Sequence, residues 1–190
     1  MSAVKNYTAI DLASNALLLI GEETISSFTD DSTAALVAAN LYDLTYESLL
    51  TLHPWRFASS KATLSRLTAT PVNEWDYAYQ LPADFMVAQH IDDANEKYQI
   101  FGDKLYSNNT SIVLDYTFKP DESLLPAYFA ELLEYRLAAV FAIPITESAT
   151  KGDYYASLGE RQLSKAKTID SMMTPSSAPA GNSPLINARG

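Results

Sequence analysis

A proline at position 54 divides this chain into two kinds of sequence. Upstream of it, apolar residues recur at helical spacing. Downstream, past Trp55 and Phe57, large side chains recur at every second position. Proline lacks a backbone donor and pushes the residue before it, here His53, out of the α region, so a helix arriving at His53 must stop. The chain must therefore hand over from helix to strand at one sharp joint, with two large aromatics placed directly on it.

The helical side reads clearly. Residues 8–20 predict a helix: Thr8 and Asp11 have capping-box spacing, and Ala13, Ala16, Leu17 and Ile20 form one apolar stripe. Gly21 sits where a left-handed C-cap is wanted. Residues 31–52 predict a longer helix, with Asp30 or Asp31 as cap and Val37, Leu41, Leu44, Leu49 and Leu52 as its apolar face.

The other side reads as sheet. Residues 62–67 predict a strand. Trp75, Tyr77, Tyr79 and Leu81 alternate with Asp76, Ala78 and Gln80, which puts four large side chains on one face until Pro82 stops the ladder. Gly102-Asp103, between Tyr98-Gln99-Ile100-Phe101 and Lys104-Leu105-Tyr106, is a two-residue hairpin signal. Ile112, Leu114, Tyr116 and Phe118 alternate again, and His90 is placed on a strand surface.

Helix returns at Pro126, a residue suited to the first helical position. The run 126–143 is apolar on more than one side, which predicts the most buried helix, with Pro144 closing it. Residues 147–172 predict a fourth helix carrying Tyr155, Leu158, Gln162, Ala166, Ile169 and Met173 near heptad spacing. From Thr174 the chain is rich in Pro, Ser and Ala and has no period, so an extended tail is expected, with Leu185-Ile186 and Arg189 as an apolar anchor and a charge. The fold class is thus α+β. Residues 1–55 and 120–173 make a discontinuous domain like a four-helix bundle, 56–119 a small inserted antiparallel β region, and 174–190 an extended C-terminal tail.

Composition narrows function by exclusion. The formal charge of −10 argues against gripping nucleic acid, because phosphate affinity comes from Lys and Arg. Residues 1–55 hold one lysine, Lys5, against seven acids. No cysteine is present, which removes disulfides, thiolate metal sites and thiol nucleophiles. The glycines are scattered singly, so no phosphate-cradling motif appears. His53 and His90 have no partner ligand at i+4, and no serine lies in a nucleophile elbow. Glu22-Glu23, Asp30-Asp31 and Asp92-Asp93 are adjacent pairs whose side chains diverge, and they read as solvated or capping acids. The first residues lack the apolar run of a signal peptide, and Ala16-Leu17-Leu18-Leu19-Ile20 is too short to span a bilayer. No catalytic residue, cofactor, metal or membrane contact is expected. The 12 tyrosines suit either half-buried strand positions or protein–protein contacts.

Several of these segments together resemble one family. Ala16-Leu17-Leu18-Leu19-Ile20-Gly21, the pair Tyr42-Asp43, the junction His53-Pro54-Trp55-Arg56-Phe57-Ala58, then Trp75 and Tyr77-Ala78-Tyr79-Gln80-Leu81-Pro82-Ala83-Asp84 occur in the order and approximate spacing of the tail tubular protein A family, the head-to-tail adaptors of short-tailed phages (podoviruses). The resemblance covers residues 10–173; the junction and strand motifs carry it, and the C-terminal half matches in pattern only. It implies a structural virion protein of the neck and tail, assembled in the host cytoplasm, and not an enzyme. Members form a twelvefold ring between the portal protein and the tail nozzle protein, and DNA passes through the lumen without specific binding. An acidic N-terminal surface lining such a channel would keep DNA from sticking.

The interface candidates are His53, Trp55 and Phe57 at the junction; Trp75, Tyr77, Tyr79 and Leu81 on the alternating strand; Tyr155 and Leu158 on the last helix; and Leu185, Ile186 and Arg189 in the tail. The tail is assigned to the portal, and the β region to the nozzle or the ring exterior. Two other readings are carried: a polysaccharide-binding or cell-wall hydrolase module using the Trp75/Tyr77/Tyr79 face, which needs two carboxylates about 5–10 Å apart beside it, and a generic assembly scaffold that binds partners without closing a ring.

Overall fold

A computed structural model describes residues 6–72, 74–92 and 97–173. The chain is α+β: four helices with two small antiparallel sheets inserted between the second and third.

Helix α1 (Ala9–Ile20) begins at the expected capping box. The Asp11 amide donates to the Thr8 hydroxyl at 3.1 Å and the Thr8 amide donates to the Asp11 carboxylate at 3.0 Å. Gly21 takes φ +86°, letting its own amide and that of Glu22 reach back to the last-turn carbonyls of Leu18 and Leu17.

Helix α2 (Thr33–Thr51) departs from expectation in two ways. Its cap is Ser32, whose hydroxyl accepts from the Ala35 amide at 3.1 Å. Asp30 instead accepts from the amides of Ser26 and Ser27, at 2.7 and 3.1 Å, and folds the preceding loop. The buried face is also rotated: Ala35, Ala38, Tyr42, Tyr46, Leu49 and Leu50 turn inward, while Leu44 and Leu52 are exposed. The tyrosines win because their phenols find acceptors inside. Tyr46 donates to the Pro120 carbonyl at 2.9 Å, and Tyr42 lies 3.4 Å from the Glu122 carboxylate.

Helix α3 (Ala127–Thr146) buries more residues than any other described helix and packs against α1, α2 and α4 (Ala149–Met172). Pro144 does not close it. The helix runs through Pro144 to Thr146 and ends where Glu147 takes φ +53°. Pro144 lacks the amide that would bond the Val140 carbonyl, and Val140 lies on the exposed side of the helix, so the missing bond is not in the core. On α4 the buried positions are Gly152, Gly159, Gln162, Ala166 and Asp170. Ile169 and Met173, expected on that face, are exposed. The helical core is built on Leu12, Leu17, Tyr46, Trp55, Phe129 and Phe141.

The β region forms two antiparallel sheets. The first has order β1 (Ser59–Thr63), β7 (Val113–Phe118), β4 (Phe85–Ile91). The second has order β2 (Ser65–Arg66), β3 (Tyr77–Gln80), β6 (Lys104–Ser107), β5 (Tyr98–Phe101). The single strand expected over 62–67 is split at Leu64, where the chain crosses between sheets and the Leu64 amide donates to Ile112 O at 2.9 Å. Leu64, Tyr79, Leu81, Ile91, Leu105 and Leu114 fill a second core drawn from both sheets. The β5–β6 hairpin turns at Gly102-Asp103 as read, pairing Phe101 with Lys104. The tie to the helices lies at α2: Lys119 Nζ reaches Asp43 at 2.7 Å and Glu47 at 3.1 Å.

Candidate functional site

The junction after α2 is the most tightly built polar site among the described residues. Pro54 turns the chain so that Trp55 enters the helical core with 0% exposure. Its indole N–H donates to the Leu49 carbonyl at 2.9 Å, in the last turn of α2, where that oxygen also accepts from the Leu52 amide at 3.2 Å. The ring meets Phe129 edge-on at 5.1 Å and His53 at 4.8 Å, and Phe57 packs edge-on against Phe129 at 4.8 Å. The short 3-10 turn Arg56–Ala58 then leads into β1.

Asp170, in the last turn of α4, fastens this junction. It is 1% exposed. Its carboxylate accepts from the Arg56 amide at 3.2 and 3.3 Å and from the Tyr128 phenol at 2.9 Å, and lies 3.3 Å from His53 Nε2. For that last contact to be a hydrogen bond, Nε2 must carry the proton. Burial, reinforced by the neighbouring carboxylate, pushes the Tyr128 phenol well above its ordinary value. Three chain segments thus converge on one buried carboxyl group. Sequence reading followed Gln162 and Ala166 on to the apolar Ile169 and Met173 and so passed over Asp170. The available signal was the spacing of Gln162, Ala166 and Asp170, one small or polar residue per helical turn. Gln162 serves the same joint, donating to the Tyr128 carbonyl at 3.1 Å.

The alternating strand is not an open platform. Tyr79 and Leu81 are buried in the second core, and the Tyr79 phenol donates to the Asn109 carbonyl. Tyr77 is half-buried beneath the Arg66 guanidinium, 4.6 Å from its ring centre. Trp75 lies outside β3, half-buried, with its indole N–H 3.3 Å from the Gln99 side chain. The surface therefore does not present these rings as a continuous stacking face. Asp84, near the end of the same motif, accepts from the Tyr116 phenol at 3.1 Å.

Tyr155 and Leu158 are half-buried on α4. Tyr155 donates its phenol to the Leu19 carbonyl, and Lys151 Nζ donates to the Ile20 carbonyl at 2.6 Å. These two side chains satisfy the C-terminal carbonyls of α1 and gather the ends of α1, α3 and α4. Leu185, Ile186 and Arg189 lie outside the described residues.

The helical end so assembled displays Leu18, Ile143 and Tyr154 to solvent, each more than half exposed. A second apolar display is the tip of the β5–β6 hairpin, where exposed Phe101 stacks edge-on with Tyr106 at 5.7 Å. A third is a groove of about 400 Å³ between α2 and α3, lined by Leu44, Thr45, Ser48, Leu49, Leu52, Arg136 and Val140. Among the described residues, no three His, Asp or Glu side chains are grouped to hold a metal, and no helix is long and apolar enough to cross a membrane. Comparison with models of known protein families and with curated protein sequences finds no match to this chain.

Proposed function

We propose that this chain is a ring-forming head-to-tail adaptor of the tail tubular protein A type, joining a podovirus portal to the tail nozzle and leaving a lumen for DNA. In this reading the helices form a bundle-like domain, residues 1–55 and 120–173. Residues 56–119 project from it as the β insertion, and residues 174–190 extend toward the portal. The protein is structural, needs no cofactor, and belongs in the virion neck.

One observation carries the reading beyond the sequence resemblance. Among the exposed apolar side chains, two sets lie on unlike parts of the molecule: Leu18, Ile143 and Tyr154 at the helical end, and Phe101 at the hairpin tip. A subunit that closes a ring uses different patches on its two sides, because a head-to-tail contact pairs unlike surfaces. Exposed apolar groups held on rigid elements are what such contacts cover. The junction motif that carries the resemblance supports it further, since His53, Trp55 and Phe57 join the two parts and make their relative placement reproducible from copy to copy.

The test is negative-stain electron microscopy of the protein mixed with its portal, comparing the native chain with Leu18→Asp. Rings stacked on portal with the native chain, and none with the variant, are expected. Native protein that never forms rings with portal would overturn the reading.

A further inference from the structure

We propose that, in the free subunit, the tail segment Pro184-Leu185-Ile186-Asn187 docks into the groove between α2 and α3 of the same copy. The inference stands apart from the ring reading and concerns the subunit before any partner is met.

The groove is chemically incomplete as it stands. Leu44 is 67% exposed, and Leu52 and Val140 are also exposed, above a floor of buried Leu49. Thr45 and Ser48 place hydroxyls along one wall. This is the surface expected to receive a short segment with two aliphatic side chains and a backbone that still needs hydrogen-bond partners. In residues 174–190 the large aliphatic side chains are Leu185 and Ile186, which are adjacent.

The tail starts in the right place. Asp170 holds the last turn of α4 against Arg56 and His53, directly after the C-terminal end of α2. Leu52, at that end, also lines the groove. Met173, from which the tail departs, is about one helical turn beyond Asp170. Twelve residues separate Met173 from Leu185, a reach of up to about 40 Å at ~3.3 Å per residue. The groove from Leu52 to Leu44 is about 12 Å along the helix. Length therefore does not restrict docking, and the tether supplies a millimolar-scale effective concentration.

Composition favours the same pairing. Pro175, Pro179 and Pro184 restrict the tail, so less freedom is lost when it is held. A partner that takes the tail would uncover Leu44, Leu52 and Val140, so docking of the tail elsewhere would change the subunit's own surface.

The absence of cysteine makes the test direct. In the full chain, Ser48→Cys places one thiol on the exposed groove wall and Asn187→Cys places the other beside the docked pair. Oxidation at low micromolar protein is followed by intact mass and non-reducing electrophoresis. The expected result is an intramolecular disulfide. It should form about tenfold faster than in the same variant carrying Leu185→Ser and Ile186→Ser, and about tenfold faster than when the acceptor thiol is moved to exposed Ser65. Its rate should be independent of protein concentration. Equal rates in all three proteins, or disulfide-linked dimers whose yield rises with concentration, would overturn the proposal. Both exposed serine sites tolerate the change without loss of fold, checked by circular dichroism.

Discussion

Replacing Asp170 by alanine tests the junction most severely. The carboxylate is fully buried, takes the Arg56 amide and the Tyr128 phenol, and faces His53 Nε2. Truncation removes the acceptor for all three and leaves a small void under α4. Hydrogen bonds to a charged acceptor are worth about 1.5–3 kcal/mol each, and a buried donor left unpartnered costs about 1–3 kcal/mol. The donors relax in part, and His53 keeps some access to water, so we expect a net loss of about 3–5 kcal/mol, less than the sum of those contributions. Against a total stability of about 5–15 kcal/mol this is a large fraction. It corresponds to a fall in melting temperature of about 6–20 °C. Asp170→Asn keeps the shape and one acceptor oxygen but brings an amide against donors, and should lose about 1–3 kcal/mol. The assay is urea unfolding followed in parallel by far-UV circular dichroism and by tryptophan fluorescence, which reports on buried Trp55. A loss below about 1 kcal/mol for the alanine variant would refute the claim that Asp170 fastens the joint.

Further expectations follow from single features. Trp55→Phe deletes one of the two donors to the Leu49 carbonyl, the Leu52 amide remaining, and leaves a void in the helical core, and should cost about 2–4 kcal/mol in the same urea assay, most of it from the void. Glu147→Gly should stabilise the protein by about 0.5–1 kcal/mol, because the residue is exposed and holds φ +53°, which costs a side-chain-bearing residue about 1–2 kcal/mol while glycine loses only part of that in chain entropy; an unchanged melting temperature would contradict this. Leu18→Asp should cost about 1–2 kcal/mol, from the acid at the C-terminal end of α1 and the covered part of the side chain, well short of unfolding, so that its loss of ring formation is not a folding defect. Burial and the nearby Glu122 carboxylate raise the phenols of Tyr42 and Tyr46 above the ordinary value. Stability from keeping them neutral is complete below about pH 10 and declines as pH rises above it toward their folded values. Ultraviolet titration should show these two ionising late and together with unfolding, and early, reversible ionisation of all 12 tyrosines would count against it.

Local rules were legible wherever a single interaction decides the outcome. Thr8 and Asp11 capped α1, Gly21 ended it, and Gly102-Asp103 turned the hairpin, because each signal is complete within a few residues. The alternation at 112–118 gave β7 with Leu114 and Tyr116 inward. Strand β4 carried no readable period, since register shifts between Phe85 and Val87 and between Ala88 and His90 break it. Faces of helices failed where long-range partners decide: nothing near Tyr42 or Tyr46 in sequence announces Pro120 and Glu122 as acceptors, so Leu44 and Leu52 took the buried face in the reading and the solvent in the fold, while Leu49 is buried as expected. The same holds for Asp170, whose three partners come from α2's end, the turn after it and α3. The candidate interface residues at the junction and on β3 were found as a group, but Trp55 and Tyr79 are core residues in this chain, and the exposed apolar side chains at Leu18, Ile143 and Phe101 were not singled out.

The central claim is that the chain assembles in register on a portal. Native mass spectrometry of the protein alone, and after mixing with its portal protein, tests it most directly. The account predicts that portal converts the subunit into a complex whose mass equals the portal plus one complete ring of this chain, twelve copies by the family resemblance. A mass unchanged by portal, at concentrations well above those of assembly, would contradict it.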